Sequence, residues 1–460
     1  MSENTNRKIV IIGLGSGGLY VAKSAMSTSK NVEVTIIEKR SYDMFSPCSL
    51  PFAIEGVVDD FEKLKFSVPG HLKRMKKLTS HEALKIDPKA KTVTVKNLET
   101  EKTFEINYDS LVLALGSKPI ILPIPGANEL LGNGVFVVST IENSIELKEH
   151  AKNSKSAVLV GGGGIGLEIA VALKNLGLDL VITKRTPPVL PKTLDPDMGQ
   201  IIEDHLNELG FRILFGKGID RINGNDWVES VEIAGETIPT DLVVMAVGVE
   251  PNVELAKNAG IELSNKGIKV SERLETSIPD IYAIGDCIDS YNLINKEHFP
   301  SHLATSAYLQ GIIAGANATG AEEIYEGTLG TFVSKIGKLE IAATGFNTEM
   351  AKSNGYDVVT SRIKHWIKPE YMPGSTELSV KLIADKETGK LLGGQAVGEQ
   401  GAAWRINIIA LAIREGIAVT DLGKTELAYS PPVSEMYDVL SMAIEFAARK
   451  VKRTSEKVLK

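Results

Sequence analysis

Two stretches near the start of the chain set the first pattern. Lys8–Gly13 reads Lys-Ile-Val-Ile-Ile-Gly, a short apolar run closed by glycine, and Val32–Glu38 is a second run rich in β-branched residues. Continuous apolar runs of this length, bounded by turn residues, fit strands buried on both faces. The interval between them holds one helix. The same grammar returns at Ser156–Gly161, followed by a helical stretch at Ile165–Leu176 and a strand at Leu178–Thr183. Two βαβ units so far apart suit two separate nucleotide-binding domains rather than a solenoid. Prolines and a glycine interrupt the pattern at Pro119–Pro125, which marks a boundary. From Tyr325 onward the glycine-rich grammar stops. Alternating segments such as Leu378–Ile383 then precede helical ones such as Ala403–Arg414, which predicts a third, α+β domain.

Length and composition agree with this layout. A chain of 460 residues allows about three domains at roughly 150 residues each. With 43% hydrophobic and 24% charged residues it falls in the ordinary globular range. No apolar run approaches the roughly 18 residues that span a bilayer, and Met1–Lys8 is polar. The expectation is a cytoplasmic protein with no membrane partner. A formal net charge of -7 argues against nucleic acid, and the local cluster Lys73, Arg74, Lys76 and Lys77 reads as a solvated helix face. The two cysteines, Cys48 and Cys287, form neither a disulfide framework nor a metal constellation, so a thiol that matters does so through its chemistry. Their pairing with each other stays open.

Gly13-Leu14-Gly15-Ser16-Gly17-Gly18 matches G-x-G-x-x-G directly after a strand. Glycines there permit a tight turn and close approach of backbone to a pyrophosphate. Glu38, at the end of the next strand, offers a carboxylate to the ribose hydroxyls. The second copy, Gly161-Gly162-Gly163-Gly164-Ile165-Gly166, ends differently: where an acid would follow, the strand reads Ile182-Thr183-Lys184-Arg185. A cationic pair attracts a 2′-phosphate, so NADPH is expected, with NADH as the weaker alternative.

Thr276–Asp286 is an apolar strand ending in Gly-Asp. It resembles the second FAD fingerprint of the pyridine-nucleotide-disulfide oxidoreductases, and Leu113-Ala114-Leu115-Gly116 resembles that family's chain-crossing motif. The resemblance implies an α/β fold with two Rossmann-like domains, for FAD and NAD(P)H, plus a carboxy-terminal dimerisation domain. It implies that residues 1–120 and 276–324 form the FAD domain, 121–275 the nicotinamide domain and 325–448 the dimerisation domain, with 449–460 as a basic, frayed tail. Asp286 then meets the ribityl chain, Val247–Asn252 closes the nicotinamide domain, and the helix starting near Leu303-Ala304-Thr305 aims its N-terminus at the flavin. Further cofactor contacts are implied at Lys39, Ala83, Ala114, Gly116, Glu168, Gly248 and Ala304, beside the glycines Gly13, Gly15, Gly18, Gly161, Gly163 and Gly166.

Ser46-Pro47-Cys48-Ser49-Leu50-Pro51-Phe52 offers one cysteine where the glutathione- and lipoamide-type members carry C-x-x-x-x-C. It is similar to the motif of the single-cysteine branch, the coenzyme A-disulfide reductases and NADH oxidases, which implies a mixed disulfide or a sulfenic acid at Cys48. A helix N-terminus and flavin close by are expected to lower the thiol pKa. Cys287, directly after Asp286, reads as structural. Ser430-Pro431-Pro432-Val433-Ser434-Glu435 replaces the histidine of the family's His-Glu pair with serine. Tyr429 and Tyr371 resemble the tyrosines of the coenzyme A enzymes, reaching the flavin of a partner chain in a homodimer. A phenol can donate a proton to a leaving thiolate or peroxide.

Departures limit the carry-over. Ala25-Met26-Ser27-Thr28 stands where basic residues grip coenzyme A phosphates, and Pro47 replaces an asparagine, so oxygen, peroxide, polysulfide or another small thiol compete as acceptors. Gly164 stands where relatives carry a bulky side chain over the flavin, which implies a less gated face. The readings are thus a reductase of a small disulfide such as coenzyme A disulfide or a polysulfide, an NAD(P)H oxidase or peroxidase, and, in another class, an FAD-binding redox sensor without turnover.

Overall fold

The structure, a computed structural model, describes residues 6–68 and 75–458, with side chains as far as Arg453. The first domain is built on a five-stranded parallel sheet in the order Ile281–Ala283, Ser110–Leu113, Arg7–Ile12, Val32–Ile37, Met75–Leu78. Ile9, Ile11, Ile36, Leu111 and Leu113 are completely buried, in one core with Ile86, Val93 and Val95 of the antiparallel sheet His81–Asp87, Thr92–Asn97, Thr103–Asn107. Helix Ser16–Thr28 packs on helix Ala304–Asn317 at backbone distance. A Cβ on Gly311 would lie 2.5 Å from the Gly17 carbonyl oxygen, and one on Gly315 would lie 2.4 Å from that of Val21. Only glycine lets these two helices meet.

The second domain repeats the scheme with strands Val135–Phe136, Leu242–Met245, Ser156–Val160, Asp179–Lys184 and Arg212–Phe215, again all parallel. The chain leaves the first domain through Ser117–Pro119 and comes back through Val249–Pro251, and the two segments pair as an antiparallel ribbon. The return is therefore earlier than the expected boundary at 275. Ala256, Ile261, Ile268 and Leu274 bury in the first domain's core, and the strands of this stretch, Leu263–Ser264 and Gly267–Lys269, are too short to carry a readable period.

The third domain is an antiparallel sheet in the order Phe332–Ile336, Leu339–Gly345, Leu391–Gly398, Glu377–Asp385, Val358–Trp366. One face, with Leu378, Val380 and Leu382, packs under helices Ala402–Arg414 and Val439–Val458; Ile341, Ala343 and Val397 on the other join the second domain's core. The expected frayed tail is instead helical as far as Val458, because Leu440, Ala443, Ile444, Ala447 and Val451 recur on one apolar face. Lys76 and Lys77 also differ from expectation: they lie on strand Met75–Leu78, and Lys77 pairs with Asp43. Lys73 and Arg74 lie outside the described residues. Among the described residues no helix is long and apolar enough to cross a membrane.

Arg405 and Asp438 pin the last helix to its neighbour. Their side chains are 1% and 3% exposed, with Arg405 Nε donating to Asp438 Oδ1 at 2.9 Å. Removing one partner strands a buried charge. Arg405→Leu should cost about 3–5 kcal/mol of stability, read as a lowered midpoint in denaturant unfolding. Arg405→Met combined with Asp438→Leu should recover most of the loss. A single variant as stable as the parent would show the pair to be inessential.

Candidate active site

Each glycine-rich turn divides its glycines between packing and opening. Gly13 has φ +104°, and a Cβ there would stand 2.2 Å from the Ala114 carbonyl oxygen; one on Gly18 would stand 2.1 Å from that of Gly13. A Cβ on Gly15 would meet nothing within 4 Å. The second turn copies this arrangement. Gly161 has φ +118° and would place a Cβ 2.3 Å from the Ala246 carbonyl oxygen, Gly166 closes against Ala246, and Gly163 is open. The first and last glycines bring helix and strand together, while the middle one keeps a cradle clear for a pyrophosphate.

The residues beside the first turn come from five segments. Glu38 is buried and accepts from Leu14 N at 2.7 Å and Arg40 N at 2.9 Å, while the Arg40 guanidinium grips both its oxygens at 2.8 Å. A carboxylate has about four acceptor positions. The carboxylate expected to meet the ribose hydroxyls thus has these positions taken by Leu14 N and by the backbone and guanidinium of Arg40. Lys39 pairs with Glu82 at 2.8 Å, next to Ala83 on strand His81–Asp87. Gly116, φ +66°, accepts from Asn252 N at 3.0 Å. Asp286 sits on the 3-10 turn Gly285–Cys287, where Ser117 Oγ donates to its Oδ2 at 2.8 Å and His302 Nδ1 stands 3.9 Å away. Gln310 Oε1 accepts from Gly285 N at 2.7 Å and fixes that turn to helix Ala304–Asn317. The helix cap at Leu303 makes no side-chain hydrogen bond, so the amides from Ala304 onward present the helix's positive end.

At the second turn Glu168 accepts from Ser334 Oγ of the third domain at 2.6 Å, and burial pushes its carboxyl above the usual range. Gly248, φ +119°, accepts from Ile120 N at 3.0 Å at the crossing ribbon. Arg185 is exposed, but Lys184 is not: its ammonium donates to the carbonyls of Thr186 and Pro188. The expected cationic pair is therefore a single outward arginine. Gly164 does not leave an open face either, because the Phe332 ring stands 3.1 Å from where its Cβ would be.

Cys48 lies in the 3-10 turn Pro47–Ser49 and is exposed, whereas Cys287 is buried, accepted by the Ile284 carbonyl at 3.2 Å and pushed up to about 12 by burial. Both thiols are free, and they are not paired with each other. The surrounding protein raises the Cys48 thiol above its ordinary value by desolvation, and the Glu168 and Asp286 carboxylates add to the rise. Within the chain the direction is thus opposite to expectation. Tyr371 and Tyr429 are 77% and 47% exposed, and among the described residues neither makes a hydrogen bond or ring contact with Cys48.

Residues 7–311 match the family described as pyridine nucleotide-disulphide oxidoreductase, and residues 332–440 match its dimerisation domain. The chain belongs to this family. An NADH oxidase of Methanocaldococcus jannaschii is 37% identical over 96% of this chain and 99% of its own. A CoA-dependent NAD(P)H sulfur oxidoreductase of Pyrococcus furiosus is 34% identical over 96% and 99%. An engineered water-forming NADPH oxidase, made from the Lactobacillus brevis enzyme and bound to NADPH, superposes with a TM-score of 0.90 at 26% identity, covering 97% of this chain and 100% of that one.

As a pyridine nucleotide-disulphide oxidoreductase the chain is an FAD-dependent NAD(P)H enzyme. Its residues fit the flavin nucleotide at the Gly13–Gly18 cradle, at Asp286 with Ser117, and at the exposed amides of helix Ala304–Asn317. Ser117, Arg40 and His302 escaped the sequence reading. Ser117 directly follows the crossing motif, a signal of position alone, and the other two carry none.

The two carboxylates give a testable pH effect. Glu168→Gln removes a negative charge acting on Cys48, so the thiol should titrate at lower pH than in the parent. The rate of iodoacetamide alkylation against pH, confined to Cys48 by the burial of Cys287, measures this. A midpoint that stays in place would show that Glu168 does not act on the thiol.

Proposed function

We propose that Cys48 is the only redox thiol of the enzyme, and that it reduces a low-molecular-weight disulfide such as coenzyme A disulfide, or a polysulfide. The observation that carries this is the contrast between the two thiols: Cys48 is free and exposed on the turn Pro47–Ser49, while Cys287 is sealed in the core. FAD supplies a two-electron relay from the nicotinamide to this sulfur. The Cys48 thiolate attacks one sulfur of the acceptor and expels the other half as a thiolate, leaving a mixed disulfide. Two electrons and a proton then release the second half as a thiol and return Cys48 to thiolate. Pro47 at the start of the turn and Leu50–Glu55 behind it hold the sulfur in place. The Pyrococcus furiosus relative, a CoA-dependent sulfur oxidoreductase, supports the acceptor class.

Reduction of oxygen or peroxide through a Cys48 sulfenic acid is the second reading. Ala25 and Met26 are buried, and the hydroxyls of Ser24 and Ser27 bond to the carbonyls of Ile312 and Ser24, so the helix end offers little to a coenzyme phosphate. The NADH oxidase name of the Methanocaldococcus jannaschii relative agrees with this reading.

The preferred donor is NADPH, with Arg185 as the outward cation. Among the five substitutions of the engineered NADPH oxidase, one removes an aspartate and two introduce arginine. The working enzyme is a homodimer. Tyr371, Tyr429, Val433, Met436 and Tyr437 form the exposed apolar surface that a second copy covers, carrying the two phenols to its partner's Cys48 as proton donors.

Assays with coenzyme A disulfide, polysulfide, peroxide and oxygen, run side by side on the parent and on Cys48→Ser, test the proposal. In the variant NADPH should still bleach the flavin anaerobically, while disulfide and polysulfide reduction fall to background, because serine forms no mixed disulfide. Unimpaired disulfide reduction by Cys48→Ser would remove the thiol from the reaction. A flavin that NADPH fails to bleach in the parent would leave the sensor reading.

A further inference from the structure

The sequence pairs Lys184 with Arg185 as two cations at one site, but the structure gives them different surroundings. We infer that Lys184 is a positioning residue, a latch that holds the loop Arg185–Leu190 against the second glycine-rich turn, and that Arg185 alone reads the 2′-phosphate. The Arg185 half rests on the proposed NADPH preference, whereas the Lys184 half does not.

Lys184 is the last residue of strand Asp179–Lys184 and is 8% exposed, which is rare for a lysine without a task in the fold. Its stem lies over the turn: a Cβ on Gly162 would come within 2.6 Å of Lys184 Cδ and 2.9 Å of Cε. The ammonium, with three protons to donate, gives hydrogen bonds to the carbonyls of Thr186 and Pro188 and so folds the loop back over the strand end. Leu190 N completes the fold by donating to the Gly162 carbonyl at 3.1 Å, and Glu203 Oε1 accepts from Val189 N at 2.9 Å. The same segment is tied down at its far end. Asp195 pairs with Lys381 at 2.8 Å and accepts from Thr348 N at 2.8 Å, and Asn347 Nδ2 donates to the Pro191 carbonyl at 3.2 Å.

A lysine held in this way cannot reach a phosphate without giving up both carbonyls and uncovering Gly162. Burial also pushes its ammonium below the usual lysine range, with Glu203 opposing the shift, which accords with a group already withdrawn from water. Arg185, one residue on and past the strand end, is exposed. A latch supports the whole adenosine end of the site and so acts on NADPH and NADH alike, whereas a phosphate ligand acts on NADPH only.

Dissociation constants of NADPH and NADH, measured by equilibrium titration of the FAD-loaded enzyme, separate the two roles. Arg185→Gln should weaken NADPH by roughly 10- to 100-fold and leave NADH unchanged. Lys184→Met, which keeps the stem and deletes the ammonium, should weaken both dinucleotides by the same factor and leave their ratio intact. Hydrogen exchange of the amides of residues 185–190, read on each folded variant without dinucleotide, gives a measure independent of binding. It should rise in Lys184→Met and the milder Lys184→Gln, and stay at the parent level in Arg185→Gln. Selective loss of NADPH in Lys184→Met, or unchanged exchange in its loop, would overturn the latch. An unchanged ratio in Arg185→Gln would instead overturn the NADPH reading and leave the latch standing.

Discussion

The close approach of backbone to backbone at the two glycine-rich turns is the constraint on which the remaining structure depends. At Gly13 and Gly161 a neighbouring carbonyl oxygen, from Ala114 and Ala246 respectively, occupies the place a side chain would take. Both residues also have φ above +100°, where any other residue is strained. The contact brings the end of each central strand against its neighbour and starts the following helix at a fixed height. Glu38, Asp286 and the crossing ribbon take their positions from the first turn; Glu168 and Lys184 take theirs from the second. The Gly311 and Gly315 contacts extend the same economy of side chains to the helix pair that frames the first site.

Between these two frames the thiol of Cys48 has a particular electrostatic setting. Cys48 is exposed, yet partial desolvation and, after it, the Glu168 and Asp286 carboxylates raise its thiol above the ordinary value. Thiolate and not thiol attacks disulfides and peroxides, so the charges around Cys48 bear on its reactivity. Protonation of Glu168, whose own carboxyl is raised by burial, removes one of those charges. The contact of Glu168 with Ser334 gives the third domain a direct hold on it.

The parts of this account that were legible in the sequence are those set by pattern. Strand runs, glycine spacing and the Gly-Asp ending located both turns, Asp286 and the order of domains, and a lone Cys48 followed from two cysteines of which one sits behind a strand end. What escaped depends on where a side chain turns after the backbone has placed it. Lys184 and Arg185 are alike in charge and adjacent, yet one folds over Gly162 and the other faces out. Arg40 reaches back two residues to claim the carboxylate read as a ribose ligand. Phe332 arrives from a distant strand to fill the room above Gly164. The basic run around Lys76 was too short to show a period, and pairing with Val32–Ile37 made it a strand. The polar end of the chain hid an apolar stripe that extends the last helix.

The central claim is that Cys48 stores one electron pair in series with the flavin. Anaerobic titration with NADPH of enzyme first converted to the Cys48 mixed disulfide with coenzyme A disulfide and freed of excess reagent, followed by flavin absorbance, counts those pairs directly. The parent should take up about two hydride equivalents and Cys48→Ser about one, since the variant keeps the flavin and lacks the sulfur couple. Equal uptake by the two proteins would contradict the account.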